Sequence, residues 1–305
     1  MPRQHNATLI GLVAVLLWSA IVGLIRGVSE HLGATGGAAW MYSVATLFLL
    51  VSVGPTRVRR MPRRYLAWGS VLFVAYELCL SLSIGHAHSG RQAIEVGMVN
   101  YLWPTFTMMA AILFNRQRAN LLIVPGFVLS MLGICRVLGG DQGLDAAGML
   151  ANVRDNPLSY GLAFSGAVIW AAYCTVTARI AQGTNGVTLF FGLTALALWT
   201  KYFALGQAAP MQWSAGAVLY LVLAAGAMGF GYAAWNVGIL HGNVTVLAGA
   251  SYFIPVLSAA LAALVLRAPL SLGFWQGACM VCGGSILCWL ATRGRGRRLP
   301  AQAGA

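Results

Sequence analysis

Acidic residues are nearly missing from this chain: six Asp and Glu stand among 305 residues, against 19 Lys and Arg. Charge of either sign is scarce, at 8% of residues, where an ordinary soluble domain carries roughly 25%. So few charges cannot cover the surface of a soluble domain. Clusters of histidines and carboxylates are absent, as are a nucleophile elbow and a phosphate-binding glycine loop. Acid–base catalysis and direct ATP use therefore lack their residues. The six cysteines (Cys79, Cys135, Cys174, Cys279, Cys282 and Cys288) all lie in apolar runs. Cys279 and Cys282 form a C-x-x-C with no second pair and no accompanying histidine, so they read as small packing residues. His86, His88 and His241 have no ligand spacing to one another. No metal and no cofactor is expected.

What the chain has in abundance is apolar residues, 59% of the total, in runs such as "ATLIGLVAVLLWSAIVGLI" at 7–25. Runs of about 20 residues match the hydrocarbon thickness of a bilayer. The short alternating segments of a membrane β-barrel are missing. The fold class is therefore all-α integral membrane. The first run is followed by "RGVSEH" instead of a small-residue cleavage site, so it reads as a retained helix. Ten spans are expected, near 7–26, 35–53, 65–86, 93–114, 119–139, 158–180, 187–206, 214–236, 244–266 and 272–291. The polar, glycine-rich stretch at 140–157 separates two groups of five spans, at 7–139 and 158–291, and a basic tail fills 292–305.

Basic residues near span ends mark cytoplasmic loops. With the N-terminus inside, Arg3, the cluster Arg57, Arg59, Arg60, Arg63 and Arg64, then Arg116, Arg118, Arg179 and the tail arginines all face the cytoplasm, 13 of the 19 basic residues. The linker, with three of the six acids, then lies outside. The net charge of +13 is mostly a topology signal, aided by anionic lipid, and does not point to nucleic acid.

The chain also repeats itself. "NYLWP" at 100–104 and "SYFIP" at 251–255 fall in the fourth and ninth spans. A shift of 151 pairs Gly97 with Ala248, Asn100 with Ser251, Tyr101 with Tyr252, Pro104 with Pro255, Gly126 with Gly277 and Gly133 with Gly284. Trp18 and Trp170 pair at a shift of 152. Five spans per repeat, an odd number, put the second copy into the membrane upside down, the inverted architecture of many secondary transporters. Prolines inside a span free a carbonyl and weaken the helix, so Pro104 and Pro255 are candidate hinges.

The runs "EVGMVNYLWP", "WAAYC", "AAWNVGILHGNVT" and "FWQGACMVCGGSILCWLATR" resemble the bacterial inner-membrane aromatic amino acid exporters of the drug/metabolite transporter superfamily, EamA type. The resemblance implies two inverted five-helix repeats, cytoplasmic termini, a central cavity and export of aromatic and other hydrophobic amino acids. One departure is that a Gly-Glu pair found after the fourth and ninth spans in many members is replaced here by "NRQRAN" and "LRAPLS".

An aromatic amino acid needs flat apolar surface for its ring and polar partners for its two charges. Midspan aromatics supply the surface: Trp18, Tyr42, Tyr76, Tyr101, Trp103, Trp170, Tyr173, Trp235 and Tyr252. Trp68, Trp199, Trp213 and Trp289 sit at span ends and read as interface anchors. Glu77 is the one acid near the middle of a span, which makes it a functional candidate by default. Asn100, Ser251 and Asn236 add hydrogen-bonding groups, and the small face Gly226, Gly229, Ala233 and Asn236 is a second candidate wall. Glu95, four residues after Arg91, reads as a helical ion pair. The expected partners are a small-molecule substrate and the bilayer, with the oligomeric state left open. A passive facilitator, a broad drug-efflux carrier and, more remotely, a membrane enzyme remain as alternatives.

In intact cells, single cysteines introduced at 57–64 should resist a membrane-impermeant thiol reagent, and cysteines at 140–157 should react with it. Labelling of 57–64 from outside excludes the ten-span arrangement.

Overall fold

A computed structural model describes residues 2–140, 144–205 and 211–293. The basic tail from 294 onward lies outside the described residues. The described residues form fourteen α-helices and one 3-10 turn at Val58–Arg60. Helix formation follows from composition: a chain this apolar must satisfy its backbone N–H and C=O groups within each segment wherever lipid surrounds it.

Seven helices are long and apolar enough to cross a bilayer. They are α3 (Ala34–Ser52), α4 (Arg63–Gly85), the pair α5 (Gly90–Asn100) and α6 (Trp103–Asn115) taken as one span, α9 (Pro157–Ile180), α10 (Val187–Leu205), α11 (Ala215–His241) and α14 (Leu272–Arg293). An eighth is the pair α1 (Pro2–Ser19) and α2 (Ile21–Leu32), if its 43° bend is allowed within one span. The other two apolar stretches fold as shorter pieces. One is α7 (Ile123–Leu138), whose 16 residues extend about 24 Å. The other is α12 (Val244–Ser251) followed by α13 (Ile254–Val265).

The bend at Ala20 has a local cause that involves no proline. The buried Ser19 hydroxyl donates to the Val15 carbonyl at 2.7 Å, and Ala20 N–H turns back to Leu17 O at 3.1 Å. Serine back-bonding of this kind often accompanies helix bends.

The linker is more ordered than its composition suggests. It contains α8 (Ala146–Asp155), capped by Asp145, whose carboxylate accepts from Ala147 N at 3.0 Å and Gly148 N at 2.9 Å. Asn156 then caps α9 through Ser159 N and ties it to His86 O and Gln92 Oε1, both at 2.9 Å. Burial, and then the Lys201 ammonium, hold the His86 imidazole below its ordinary pKa. Glu95 pairs with Arg91 at 3.1 Å and accepts a hydrogen bond from Tyr160 at 2.9 Å.

Helices α7 and α14 meet backbone against backbone. A β-carbon on Gly277 would lie 2.6 Å from Gly133 O, and one on Gly284 would lie 2.6 Å from Gly126 O. Only glycine leaves room for backbone against backbone here, as at small-residue interfaces generally in lipid. Gly126 meets Gly284 and Gly133 meets Gly277, so the helices run antiparallel. Each glycine thus touches the repeat-mate of the other, the reciprocity of a two-fold contact. On the opposite side, α10 packs on α3, where Trp199 Nε1 donates to Ser43 Oγ at 3.0 Å. Trp199 is thus held by a neighbouring helix as well as standing at a span end, while Trp68 and Trp213 are exposed.

Gly277→Val should lower the melting temperature of the detergent-purified protein, at a cost of about 1–3 kcal/mol for overpacking. Gly161→Ala meets nothing within 4 Å and should be neutral or stabilising. An unchanged melting temperature for Gly277→Val would show that this interface yields without cost.

Candidate functional site

Between α1–α2, α4, α5–α6, α9, α11 and α12–α13 lies a cavity of about 260 Å3. Each wall is one face of a helix. From α4 come Tyr76, Glu77 and Leu80, with Leu80 one turn beyond the other two. From α11 come Met228, Tyr232 and Trp235, and from α9 come Trp170 and Cys174. The bends supply the rest: Trp18, Ile21 and Val22 at the first, Gly97, Asn100, Tyr101 and Trp103 at or just before the second, and Ser251 and Ile254 at the third.

The wall is rich in aromatic rings. Trp18 sits 5.2 Å from both Tyr232 and Trp235, centroid to centroid. Trp170 lies 4.3 Å from Tyr76, 5.0 Å from Tyr173 and 6.3 Å from Trp103. The two halves therefore contribute matching pairs, a tryptophan of the first or sixth expected span on a tyrosine of the eighth or third. Trp18 Nε1 is buried without a hydrogen-bond partner, pressed against Gly231.

Glu77 is fully buried. Its Oε2 accepts from the Tyr42 hydroxyl at 2.7 Å and its Oε1 from the Tyr232 hydroxyl at 3.1 Å. Asn100 is tied to α9, where its Nδ2 donates to Ala163 O at 3.3 Å; the amide fits there because residue 166 is glycine. Ser251 Oγ donates to Ala248 O at 2.8 Å.

Nine of the residues singled out from the sequence meet at this cavity: Trp18, Tyr76, Glu77, Asn100, Tyr101, Trp103, Trp170, Trp235 and Ser251. Four do not line it. Tyr42 is buried behind Glu77 and acts on the cavity only through that carboxylate. Tyr173 backs Trp170 and turns its hydroxyl to that of Tyr65, 3.5 Å away. Tyr252 is buried beside Trp289, 5.8 Å between rings. Asn236 lies a helical step past Trp235, off the lining face. The small face of α11 is a packing surface: a β-carbon on Gly229 would lie 3.1 Å from Ala45 O and 3.2 Å from Phe48, both on α3. The opposite face does the lining, and it includes Tyr232, which the sequence reading passed over. Its signal was present, since Tyr232 stands three residues before Trp235 and four after Met228 on one helix.

Pro104 and Pro255 are each the second residue of a helix, α6 and α13, that restarts after a two-residue break. A proline there gives up an N–H that the start of a helix leaves free in any case. The expectation that each proline interrupts a continuous helix is thus refined: the helix stops before it. The two breaks share their hydrogen bonds. Leu102 N donates to Val99 O and Phe106 N to Leu102 O, as Phe253 N does to Ala250 O and Leu257 N to Phe253 O, each pair 151 residues apart.

The profile of the EamA-like transporter family matches this chain twice, at residues 5–139 and 157–290. The aromatic amino acid exporter YddG of Escherichia coli K12 is 60% identical over 293 residues, covering 96% of this chain and 99% of that protein. The exporter of the same name from Salmonella typhimurium is 61% identical over 292 residues, with the same coverage. That of Ancylobacter novellus is 25% identical over 302 residues, 95% of this chain and 99% of that one. A solved crystal structure shares the fold at 23% identity and a TM-score of 0.65, over 94% of this chain and 99% of that one. With its family profile matched in both halves and such relatives aligned over nearly its whole length, this chain is a multi-pass membrane protein that belongs to the EamA-like transporter family.

Proposed function

We propose that this protein exports aromatic and other hydrophobic amino acids across the bacterial inner membrane by alternating access. The observation that carries this reading is the tryptophan-walled cavity with one buried carboxylate, in a chain closely similar to proteins named for aromatic amino acid export. Rings stack on Trp18, Trp103, Trp170 and Trp235, and Glu77 meets the ammonium. Tyr42 and Tyr232 hold the Glu77 carboxylate in place, and Tyr76, Asn100, Tyr101 and Ser251 shape the remaining wall. Tyr173 and Tyr252 support the wall from behind.

The same reading assigns ten spans in two inverted five-helix repeats, at 7–139 and 158–291, with the N- and C-termini in the cytoplasm and the 140–157 linker in the periplasm. Support for the inversion comes from the antiparallel glycine contact of α7 with α14 and its reciprocal pairing. The packing of α1 on α11 beside that of α4 on α9, first span on eighth and third on sixth, also supports it. A 16-residue α7 can serve as a span because flanking residues and local thinning of the bilayer absorb modest mismatch. Pro104 and Pro255 act as matched hinges in this scheme.

The test is counterflow of labelled phenylalanine or tryptophan into liposomes containing only this protein, with and without a pH gradient. Exchange that ignores the gradient makes it a facilitator, and exchange that follows it makes it proton-linked. Absence of exchange with correctly folded protein removes the reading. Trp18→Ala and Trp103→Ala should reduce phenylalanine transport more than that of a small aliphatic amino acid, since each lost ring contact is worth roughly 1–3 kcal/mol. Equal losses for all cargoes would assign these residues to the fold alone.

Pro104→Ala and Pro255→Ala should fold but exchange slowly between states, because alanine lets the helix run through the break. In an inverted repeat the two hinges serve opposite openings. Distances between labels at the inner and outer mouths should therefore shift in opposite directions in the two variants. Shifts in the same direction, or none, would reduce the prolines to packing features.

A further inference from the structure

Among the described residues, Glu77 is the only charged side chain that lines the cavity. Its two oxygens receive two phenolic hydroxyls, from Tyr42 at 2.7 Å and Tyr232 at 3.1 Å. The two hydroxyls are placed to give one hydrogen bond to each oxygen of a carboxylate. No Lys, Arg or His of the described residues stands on the wall to balance it. Of the neutral donors, Asn100 Nδ2 bonds Ala163 O and Ser251 Oγ bonds Ala248 O, while the Trp18 indole N–H has no partner in the protein but carries no charge. The site thus has a charged partner for a cation and none for an anion. The indole and phenol faces around it reinforce that sign, because aromatic faces attract cations.

We propose that the cavity recognises its cargo through the ammonium, by way of Glu77, and that the protein consequently also exports aromatic monoamines, the decarboxylated counterparts of aromatic amino acids. The proposal rests on the export reading above and extends its substrate class. Removing the carboxylate from an aromatic amino acid removes the group that this wall leaves without a charged partner and that must be desolvated to enter. Removing the ammonium instead leaves an anion facing a buried carboxylate, where like charges repel and no cation stands between them. The ranking that follows places the aromatic amine at or above the amino acid, and the aromatic acid far below both.

The test uses one ring with three tails: L-phenylalanine, 2-phenylethylamine and 3-phenylpropionate. Binding to the purified wild type is read by quenching of tryptophan fluorescence. Transport is read by counterflow of labelled phenylalanine, with protein-free liposomes as the control for amine leakage. The amine should bind within about threefold of phenylalanine or tighter, and the acid about tenfold or more weakly. The amine should also inhibit phenylalanine entry from outside and accelerate it when preloaded. Glu77→Gln should weaken amine binding about tenfold or more, while Tyr232→Phe, which keeps the carboxylate, should preserve the ranking. Should Glu77→Gln fail to fold, the wild-type ranking decides alone. Binding of 3-phenylpropionate as tight as that of the amine overturns the proposal. So does vigorous phenylalanine counterflow that the amine neither inhibits nor accelerates, an outcome that leaves the export reading standing. Loss of phenylalanine counterflow altogether strikes the export reading itself, and the fluorescence ranking then decides the ammonium claim independently.

Discussion

A bilayer offers no hydrogen bonds, and most of what this molecule does with its backbone follows from that. Every amide facing lipid must be satisfied by its own helix, so an interruption is tolerable only where protein or a polar cavity surrounds it. The interruptions obey the rule. Ala20, the Tyr101–Leu102 turn and the Tyr252–Phe253 turn each break an apolar stretch, and residues beside all three line the cavity. The breaks and the cavity are one feature. Bent helices cannot pack along their full length, and the space they leave is where the side chains flanking each break converge.

Charge is handled with the same economy. A carboxylate in the middle of a membrane protein is costly unless its oxygens are met. Tyr42 and Tyr232 meet both oxygens of Glu77 from two different helices, α3 and α11. Removing one phenol would leave an oxygen uncompensated in an apolar wall, a larger loss than the bond's own net contribution. The trio fixes the relative positions of α3, α4 and α11 at the level of the cavity and leaves the carboxylate with a partner still to find.

The two copies of the family domain supply the frame, and their divergence supplies the polarity. Trp18 on Tyr232 answers Trp170 on Tyr76, and the glycine pairs of α7 and α14 are interchangeable under the repeat. Glu77 breaks the match. Among the described residues no second charged side chain lines the cavity to answer it. One carboxylate gives the near-symmetric aromatic vessel a polarity that two identical halves would lack.

The sequence alone determined the class of the molecule, the number and placing of its apolar stretches, the repeat, and Glu77 as the unusual residue. These are properties of composition and spacing, and the bilayer enforces them locally. It could list midspan aromatics, but it could not sort them. Tyr42, Tyr173 and Tyr252 are as midspan as Tyr76 and Tyr101, and which of them faces the cavity depends on how each helix is rotated against its neighbours. That rotation is set by close contacts between distant residues, such as Gly229 against Ala45 and Phe48, which turns Met228, Tyr232 and Trp235 inward and the small face of α11 outward. The bend at Ala20 was hidden for a related reason. The turn of Ala20 N–H back to Leu17 O and the Ser19 hydroxyl bond to Val15 O are set by the packing of the buried Ser19, which the sequence does not show.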